Sequence, residues 1–303
     1  MDLESAEPVG IIGLGAIGLG VAKSLLRAGI TTHGCDLNVD AVAEFESAGG
    51  IAQATPAELG RHARIIFLFV VNAAQARDVL FGEGGLTQSN NAAIVVCCVT
   101  MAPADVIAIN TELQALGVSM VDAPTSGGVA NAAAGKTKFM VSGAPDDVNA
   151  VNFALEAVAD TVFRIGDEVG QGATVKTVHQ LLAGVHIAAA MEALALGIKM
   201  GIDPQTLYDV VTGCAGNSWM FENRVPHVLG DDYTPLSAVD IFVKDLGLVL
   251  DTGLKQRFPL PLAAAAHQQF LAASAAGYGR EDDAAVIKVY RDLANLKLPS
   301  KKA

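Results

Sequence analysis

The sequence predicts an α/β domain built on a doubly wound, mostly parallel sheet, followed by an all-α domain, with one long interdomain helix joining them. In the first half, short apolar runs alternate with segments of helical periodicity, an order typical of βαβ units and a parallel sheet. From Gly172 to about Leu293 the periodicity is helical, and alternating β patterns are almost absent. The 303 residues suit two domains, which we expect at residues 1–168 and 169–303.

Six apolar segments of the first half are expected to form strands. Because the run Ile65–Val71 is apolar at every position, it suits a strand that is buried on both faces of a sheet. Two segments have helical periodicity and stop at glycines: Ile17–Arg27 stops at Ala28-Gly29, and Val39–Ala48 stops at Gly49-Gly50. The expected strands are Val9–Gly13, Thr31–Asp36, Ile65–Val71, Ala92–Val99, Ser119–Ala123 and Thr137–Ser142.

The second half is expected to consist of helices. The first of them has no internal proline, and at about 28 residues it would measure about 40 Å. It could begin under the first domain and end inside the second, so we expect the boundary in the glycine-rich stretch Arg164–Gly172. The expected helices are Gly172–Met200, Pro204–Thr212, Ser218–Val228, Ala238–Leu254, Pro261–Ala276 and Asp282–Leu293.

Composition excludes several classes of protein. Apolar residues make up 51% and charged residues 17%, which argues against intrinsic disorder. Lys and Arg number 20 against 32 Asp and Glu, a net charge of -12 that disfavours nucleic acid and anionic lipid as partners. The segment Leu181–Ile202 is long enough to span a bilayer, but His186, Glu192 and Lys199 interrupt it, which favours a buried helix.

The cysteines and the first residues predict a cytoplasmic protein. Four cysteines in a chain of this length do not form a disulfide framework, and none has CxxC spacing. We therefore expect reduced thiols and no metal site. The acidic, polar start MDLESAEP lacks the basic region of a signal peptide.

A glycine-rich turn connects the first expected strand to the first helix. In that context the GxGxxG pattern is typical of the Rossmann dinucleotide-binding turn. Gly13 permits the tight turn, Gly15 lets the pyrophosphate approach the backbone, and Gly18 lets the helix pack against the strand. The helix N-terminus offers its amides to the phosphates. The expected cofactor loop comprises Gly13, Leu14, Gly15, Ala16, Ile17 and Gly18.

Asp36 ends the second expected strand and indicates NAD as the cofactor. It follows Gly18 by 18 positions, close to the spacing of an acidic residue that binds the ribose hydroxyls. A carboxylate there would repel a 2′-phosphate, and no arginine follows in positions 37–40. The alternative is an ordinary tight turn with Asp36 as a helix cap. Asn72 follows another strand at its carboxyl end, where ligands of open α/β sheets bind.

Two further segments suggest a substrate site. In DAPTSGG, the small residues Ser126, Gly127 and Gly128 could present amides and a hydroxyl to a carboxylate, although the segment could equally be an ordinary turn. In GQGATVK, Lys176 lies in an otherwise apolar helix and shares a face with His179, three positions later. A lysine in such a place is more often a surface residue that buries only its stem.

The chain resembles the β-hydroxyacid dehydrogenases, which include 3-hydroxyisobutyrate dehydrogenase and tartronate semialdehyde reductase. GLGAIG, DAPTSGG, GQGATVK and KDLGL occur in that family's order. The resemblance implies a Rossmann domain followed by an all-α domain that mediates assembly into a homodimer or homotetramer. It also implies that Lys176 is catalytic, that the DAPTSGG loop binds the carboxylate of a small hydroxy acid, that Thr100 lies near the nicotinamide and that Lys244 reaches the cofactor.

His179 departs from the family pattern, which usually has asparagine at this position. The segment KTVHQLLAGVH most resembles the branch that acts on four-carbon acid sugars such as L-threonate, and His179 could bind a second substrate hydroxyl or share the proton transfer. Activity on 3-hydroxyisobutyrate or tartronate semialdehyde is the alternative. A second alternative is that the protein is a non-catalytic dinucleotide-binding regulator.

Because adjacent helical positions do not share a face, we expect no ion pair between Lys244 and Asp245.

Overall fold

The computed structural model describes residues 7–89, 91 and 94–300. The chain forms two compact units, the first ending at Thr177 and the second beginning at Val178. This boundary lies within a single helix, α8 (Gln171–Lys199), whereas the sequence places the domain boundary before that helix. The assignment of residues 1–168 and 169–303 to two domains stays a prediction.

The first unit contains a sheet in the order β3-β2-β1-β4-β5-β6-β8-β7, with β9 paired to β8, counted over the described residues. Strands β1 to β6 pair in parallel, β8 is antiparallel to β6 and β7, and β9 is parallel to β8. The order reverses between β1 and β4, as in doubly wound folds. The strands are β1 (Val9–Ile12), β2 (Thr32–Cys35), β3 (Ile51–Ala52), β4 (Ile65–Leu68), β5 (Ile94–Cys97), β6 (Ser119–Asp122), β7 (Thr125–Ser126), β8 (Thr137–Ser142) and β9 (Ala159–Gly166).

The central strands are apolar throughout because both faces of the sheet are covered. Phe67 and Leu68 of β4 point into two different core clusters, one on each side of the sheet, and Val96 and Val95 of β5 divide in the same way. The helices of this unit are α1 (Ala16–Arg27), α2 (Val39–Ser47), α3 (Pro56–His62), α4 (Ala73–Phe81), α5 (Pro103–Ala115), α6 (Gly128–Ala133) and α7 (Pro145–Val158), together with the start of α8.

The second unit is helical in its described residues and has its own core. From α8, side chains such as Ile187, Met191 and Leu194 are fully buried in that core, where Phe242 and Phe270 stack with ring centroids 5.1 Å apart. The helices after α8 are α9 (Pro204–Thr212), α10 (Trp219–Leu229), α11 (Val239–Lys255), α12 (Pro261–Ala273) and α13 (Ile287–Ala294).

Helix α8 is long and apolar enough to cross a membrane by length and composition alone. A core helix of a water-soluble domain meets the same two criteria. One face of α8 is buried within the core of the second unit.

The predicted fold class is confirmed, with shorter strands than expected and additional elements. Positions 92 and 93 of the expected strand Ala92–Val99 lie outside the described residues, and the remainder contains β5. Strands β3, β7 and β9 are not among the strands that the sequence predicts. The expected domain boundary in the glycine-rich stretch Arg164–Gly172 overlaps β9, which continues to Gly166.

Candidate active site

The expected cofactor and substrate residues of the first unit lie at one edge of the sheet. Gly13 follows β1, Asn72 lies beyond β4, Thr100 lies beyond β5, and Asp122 is the last residue of β6. These strands are neighbours and parallel, so their carboxyl ends meet at the same edge. That edge, beside the reversal of strand order, is where open α/β sheets bind ligands.

Two glycines of the cofactor loop are required by the protein's own backbone. Gly13 has a φ of 94°, and a Cβ built on it would collide with the carbonyl oxygen of Phe69. A Cβ on Gly18 would collide with the carbonyl oxygen of Gly13, because α1 packs directly against the loop. These positions have the turn and packing roles that the pattern predicts.

Gly15 differs from Gly13 and Gly18, because a Cβ at this position would meet no other atom of the described chain. This open space indicates a place for a ligand. A Cβ on Gly15 would have no neighbour within 4 Å among the atoms that the structure describes, and its φ of -64° suits any residue. Packing therefore does not require glycine there. The open space lies at the N-cap of α1, whose first residues are Ala16 and Ile17, and helix N-termini favour phosphate groups. The loop therefore fits the pyrophosphate of a dinucleotide.

Asp36 is bound to the cofactor loop and does not cap the next helix. Its Oδ2 accepts a hydrogen bond of 2.6 Å from the backbone N–H of Leu14, and its Oδ1 accepts one of 2.8 Å from that of Asn38. The N-cap of α2 is Asn38, whose side chain accepts from the amides of Asp40 and Ala41. An ionised carboxylate has about four acceptor positions, which leaves capacity for ribose hydroxyls.

Asn72 and Thr100 are placed at the expected edge, with different local roles. The side chain of Asn72 accepts a 2.9 Å hydrogen bond from the N–H of Gln75 and so caps α4. Thr100 is half-buried in the segment between β5 and α5. Their contact with the cofactor stays a prediction.

The structure brings Lys176 to the expected substrate loop. Its side chain is buried, and Nζ donates a 2.7 Å hydrogen bond to the carbonyl oxygen of Thr125, directly before Ser126. Gly127 and Gly128 then turn the chain with φ values of 121° and 71°, which side chains disfavour. The amine, the hydroxyl of Ser126 and the amides of the turn are therefore close neighbours.

A buried carboxylate holds the start of the helix that carries Lys176. Oδ2 of Asp122 accepts hydrogen bonds from the N–H groups of Gly170 (3.0 Å) and Ala173 (2.8 Å), and from the hydroxyl of Ser142 (3.3 Å). Ser142 Oγ in turn accepts from the N–H of Gly172 (2.9 Å). Burial raises the pKa of Asp122 to about 6, and these hydrogen bonds oppose the rise. The sequence analysis assigned no role to Asp122 or Ser142.

In the second unit, a chain of side-chain contacts joins His179 to Lys244. His179 Nδ1 lies 2.9 Å from Oε1 of Gln180, and Gln180 Nε2 donates to Asp245 Oδ2 at 2.5 Å. Lys244 Nζ lies 2.6 Å from the other oxygen, Asp245 Oδ1. The expectation that Lys244 and Asp245 form no ion pair is wrong, because the long lysine side chain folds back to its neighbour. No sequence pattern links Gln180 to Asp245.

Replacing Asp122 by asparagine should change how stability depends on pH. Because the folded-state pKa of about 6 lies above the ordinary 3.8, the stability that this group contributes is complete below about pH 4 and is lost as the pH rises through 6. The asparagine side chain cannot ionise. Urea unfolding of both proteins should show the native protein losing roughly 3 kcal/mol relative to Asp122→Asn between pH 4 and 7. A difference in the free energy of unfolding that does not change with pH would contradict the raised pKa of Asp122.

Gly15→Ala and Gly18→Ala should affect different properties. The methyl group at position 18 meets a backbone carbonyl, so we expect a loss of about 2 kcal/mol in the free energy of unfolding. At position 15 the methyl group enters open space, so stability should stay within about 1 kcal/mol while NADH affinity falls. Urea unfolding and fluorescence titration with NADH measure the two effects. Native affinity in Gly15→Ala would show that the space beside Gly15 is not the pyrophosphate site.

Two family models match the chain. Residues 8–166 match the NAD binding domain of 6-phosphogluconate dehydrogenase. Residues 170–290 match the model described as NAD-binding of NADP-dependent 3-hydroxyisobutyrate dehydrogenase. Together they cover both units, and both describe nicotinamide cofactor binding.

Full-length relatives are similar over nearly the whole chain. L-threonate dehydrogenase of Cupriavidus necator is 52% identical over 294 residues, covering 97% of this chain and 98% of the relative. The L-threonate dehydrogenase of Escherichia coli strain K12 is 50% identical over 306 residues, covering 100% of both. The crystal structure of 3-hydroxyisobutyrate dehydrogenase from Salmonella typhimurium superposes with a TM-score of 0.87 at 51% identity, covering 94% of this chain and 100% of that one. The chain belongs to the β-hydroxyacid dehydrogenase family.

Proposed function

We propose that this protein oxidises one hydroxyl of a small hydroxy acid, with NAD as the acceptor and Lys176 as the acid/base group. The observation that carries the proposal is the position of Lys176: it is 7% exposed, and its amine is hydrogen-bonded beside the loop Ser126-Gly127-Gly128. Burying an amine is costly unless it is hydrogen-bonded, and the hydrogen bond to Thr125 holds this amine beside the loop. A non-catalytic dinucleotide-binding protein would have no use for this arrangement.

The proposed mechanism follows from these groups. The hydroxyl of Ser126 and the amides of Gly127 and Gly128 bind the substrate carboxylate. Bound NAD would accept the hydride at C4 of its nicotinamide. Lys176 Nζ lies beside the reacting hydroxyl and, as the uncharged amine, takes its proton while the hydride leaves. The ammonium that forms stabilises the negative charge that develops on the oxygen. Because the amine is anchored on Thr125, it is positioned before the substrate arrives.

We propose a four-carbon acid sugar such as L-threonate as the substrate. The name L-threonate dehydrogenase belongs to relatives of 50% and 52% identity, and His179 offers a polar group for a second hydroxyl. The second candidate is 3-hydroxyisobutyrate, because the Salmonella relative of 51% identity carries that name. Relatives of equal similarity thus differ in their named substrate, which makes a direct comparison of the acids necessary.

We propose NAD in preference to NADP because of Asp36. Both of its oxygens are held by backbone amides, so the carboxylate is fixed at the edge of the cofactor loop. A second negative charge on the ribose would be repelled there. The contacts of Asn72, Thr100 and Lys244 with the cofactor belong to the same proposal.

Lys176→Ala should lower kcat on L-threonate by at least ~100-fold, the size of effect expected when a positioned acid/base group is lost. NADH affinity should be nearly unchanged, because the cofactor loop is formed by other residues. Steady-state NADH absorbance and a fluorescence titration with NADH measure the two quantities. Lys136→Ala, in the turn between α6 and β8, is the matched control.

Two results would contradict this proposal. An unchanged kcat in Lys176→Ala would remove Lys176 from the mechanism. Higher kcat/KM with NADP than with NAD in the native protein would overturn the cofactor preference. The native assay with L-threonate, glycerate, 3-hydroxyisobutyrate and 3-hydroxypropionate then ranks the candidate substrates.

We also propose a homodimer or homotetramer in the cytoplasm. In the second unit, one face of α8 exposes large apolar side chains near both of its ends, and exposed apolar side chains of this kind support an assembly that covers them. The free cysteines at positions 35, 97, 98 and 214 agree with a reducing compartment. The exposed apolar side chains are Val178 (58%), Leu182 (49%), Leu196 (60%) and Met200 (71%).

Light scattering after gel filtration tests this assembly. The native protein should have the mass of two or four chains, and the double variant Leu182→Glu/Leu196→Glu should shift to a smaller species because charges on the covered face oppose association. Leu116→Glu, at an exposed position of the first unit, is the control. A native protein with the mass of one chain would contradict the proposal.

A further inference from the structure

Two buried side chains that lie far from α8 in the sequence fix the start of this helix. Asp122 is the last residue of β6 and Ser142 is the last residue of β8, and both are fully buried. They belong to the first unit, which extends to Thr177 and so includes the first turns of α8. The anchor and the segment that it holds are therefore parts of one compact unit.

These side chains pair the amides that the helix itself cannot pair. The first N–H groups of a helix have no partner within it, and leaving a buried one unpaired costs free energy. Asp122 Oδ2 accepts from the N–H groups of Gly170 (3.0 Å) and Ala173 (2.8 Å). Ser142 Oγ accepts from the N–H of Gly172 (2.9 Å) and donates to Asp122 Oδ2 (3.3 Å). The start of α8 thus depends on acceptors from two strands.

Gly172 shows how closely this first turn approaches the sheet. A Cβ built on Gly172 would collide with the carbonyl oxygen of Met140 in β8, and it would lie 3.1 Å from Asp122 Oδ2. No side chain fits there, and Gly172 is buried. An amide that lost its acceptor at this point would therefore not be compensated by solvent.

The anchored turn determines where the side chain of Lys176 begins. Lys176 follows Ala173 by three positions, which is a rise of about 4.5 Å along the helix. Its Nζ donates a 2.7 Å hydrogen bond to the carbonyl oxygen of Thr125, and Thr125 follows Asp122 by only three residues. A lysine side chain has a flexible four-carbon stem, so its amine keeps one position only if the backbone that carries it is fixed.

We propose that Asp122 and Ser142 are positioning residues of the reaction, which set the distance between the Lys176 amine and the substrate loop by pairing the first amides of α8. This rests on the proposed function, in which Lys176 is the acid/base group. The substrate carboxylate is bound by the separate segment 126–128, so loss of the anchor should lower kcat and leave KM nearly unchanged. A misplacement of about 1 Å can cost about 100-fold in rate.

A graded series of variants tests this role. Asp122→Leu removes the acceptor of two amides, Ser142→Ala removes that of Gly172 alone, and Asp122→Asn keeps an uncharged acceptor oxygen. We expect kcat to fall by at least ~10-fold in Asp122→Leu and by about 3-fold to 10-fold in Ser142→Ala, whereas Asp122→Asn should keep more activity than Asp122→Leu. KM should stay within about 3-fold, because ground-state binding is retained. Circular dichroism confirms that each variant is folded.

Combination with Lys176→Ala separates positioning from a general structural effect. If Ser142 acts through the amine, its replacement has nothing left to misplace once the amine is gone. Lys176→Ala/Ser142→Ala should then have the kcat of Lys176→Ala within about 2-fold, because residues that act as a unit are not additive. An independent structural effect would lower kcat by the same factor in both backgrounds.

Asp282→Leu is the matched control. Asp282 is also fully buried, and its carboxylate accepts hydrogen bonds from the N–H groups of Leu236 (3.0 Å) and Ala284 (3.1 Å) in the second unit. Its replacement should lower the stability to urea, as loss of a buried hydrogen-bonded group does, and should leave the kcat of the folded protein unchanged. A fall in kcat equal to that of Asp122→Leu would show that the effect is not specific to the anchor of α8.

The outcomes separate this inference from the proposed function. If the native protein oxidises none of the hydroxy acids, or if Lys176→Ala keeps the native kcat, the proposed function fails. If Lys176→Ala loses activity while folded Ser142→Ala keeps the native kcat, only this inference fails, and an equal fall in both backgrounds overturns it as well. Ser142→Ala, the smallest change, decides the test if the aspartate variants do not fold.

Discussion

The placement of the Lys176 amine depends on one buried carboxylate. Asp122, the last residue of β6, accepts hydrogen bonds from the amides of Gly170 and Ala173 at the start of α8. Helix N-termini have unpaired N–H groups and a positive dipole end, and both favour a negative charge there. Lys176 follows Ala173 by three positions, about one turn. Its amine therefore meets the carbonyl of Thr125, which follows Asp122 in the chain by only three residues.

In each unit a buried aspartate is linked to another side chain through an intermediate group. In the first unit, Asp122 acts through the backbone of α8 on Lys176. In the second, Asp245 accepts a hydrogen bond from the amide nitrogen of Gln180, whose oxygen lies 2.9 Å from Nδ1 of His179. Burying a carboxylate costs free energy unless hydrogen-bond donors surround it. Each aspartate therefore depends on its donors, and the donors are in turn held in place by the aspartate.

The sequence predicts those features that are formed within one contiguous segment. The turn from Gly13 to Gly18 is recognisable because its strand, glycines and helix are contiguous, and Lys176 is marked by its motif. The anchoring by Asp122 and the link from Gln180 to Asp245 connect positions 48 to 65 residues apart, and no pattern within one segment reveals them. The ion pair of Lys244 with Asp245 was missed for another reason. The rule for adjacent helical positions describes Cβ directions, whereas a lysine has four further rotatable bonds. Strand β9 is only half-buried, so it lacks the apolar run that identifies its neighbours.

The burial of the thiols has a practical consequence for labelling. Cys35, Cys97 and Cys98 are buried, and burial raises the pKa of each thiol, to about 12 for Cys35 and Cys97. The thiolate is the reactive form, so alkylating reagents meet three unreactive sulfurs and the exposed Cys214. Cys214 follows α9 in the second unit. The native chain therefore offers a single attachment point for a fluorophore or spin label, without the prior removal of any cysteine.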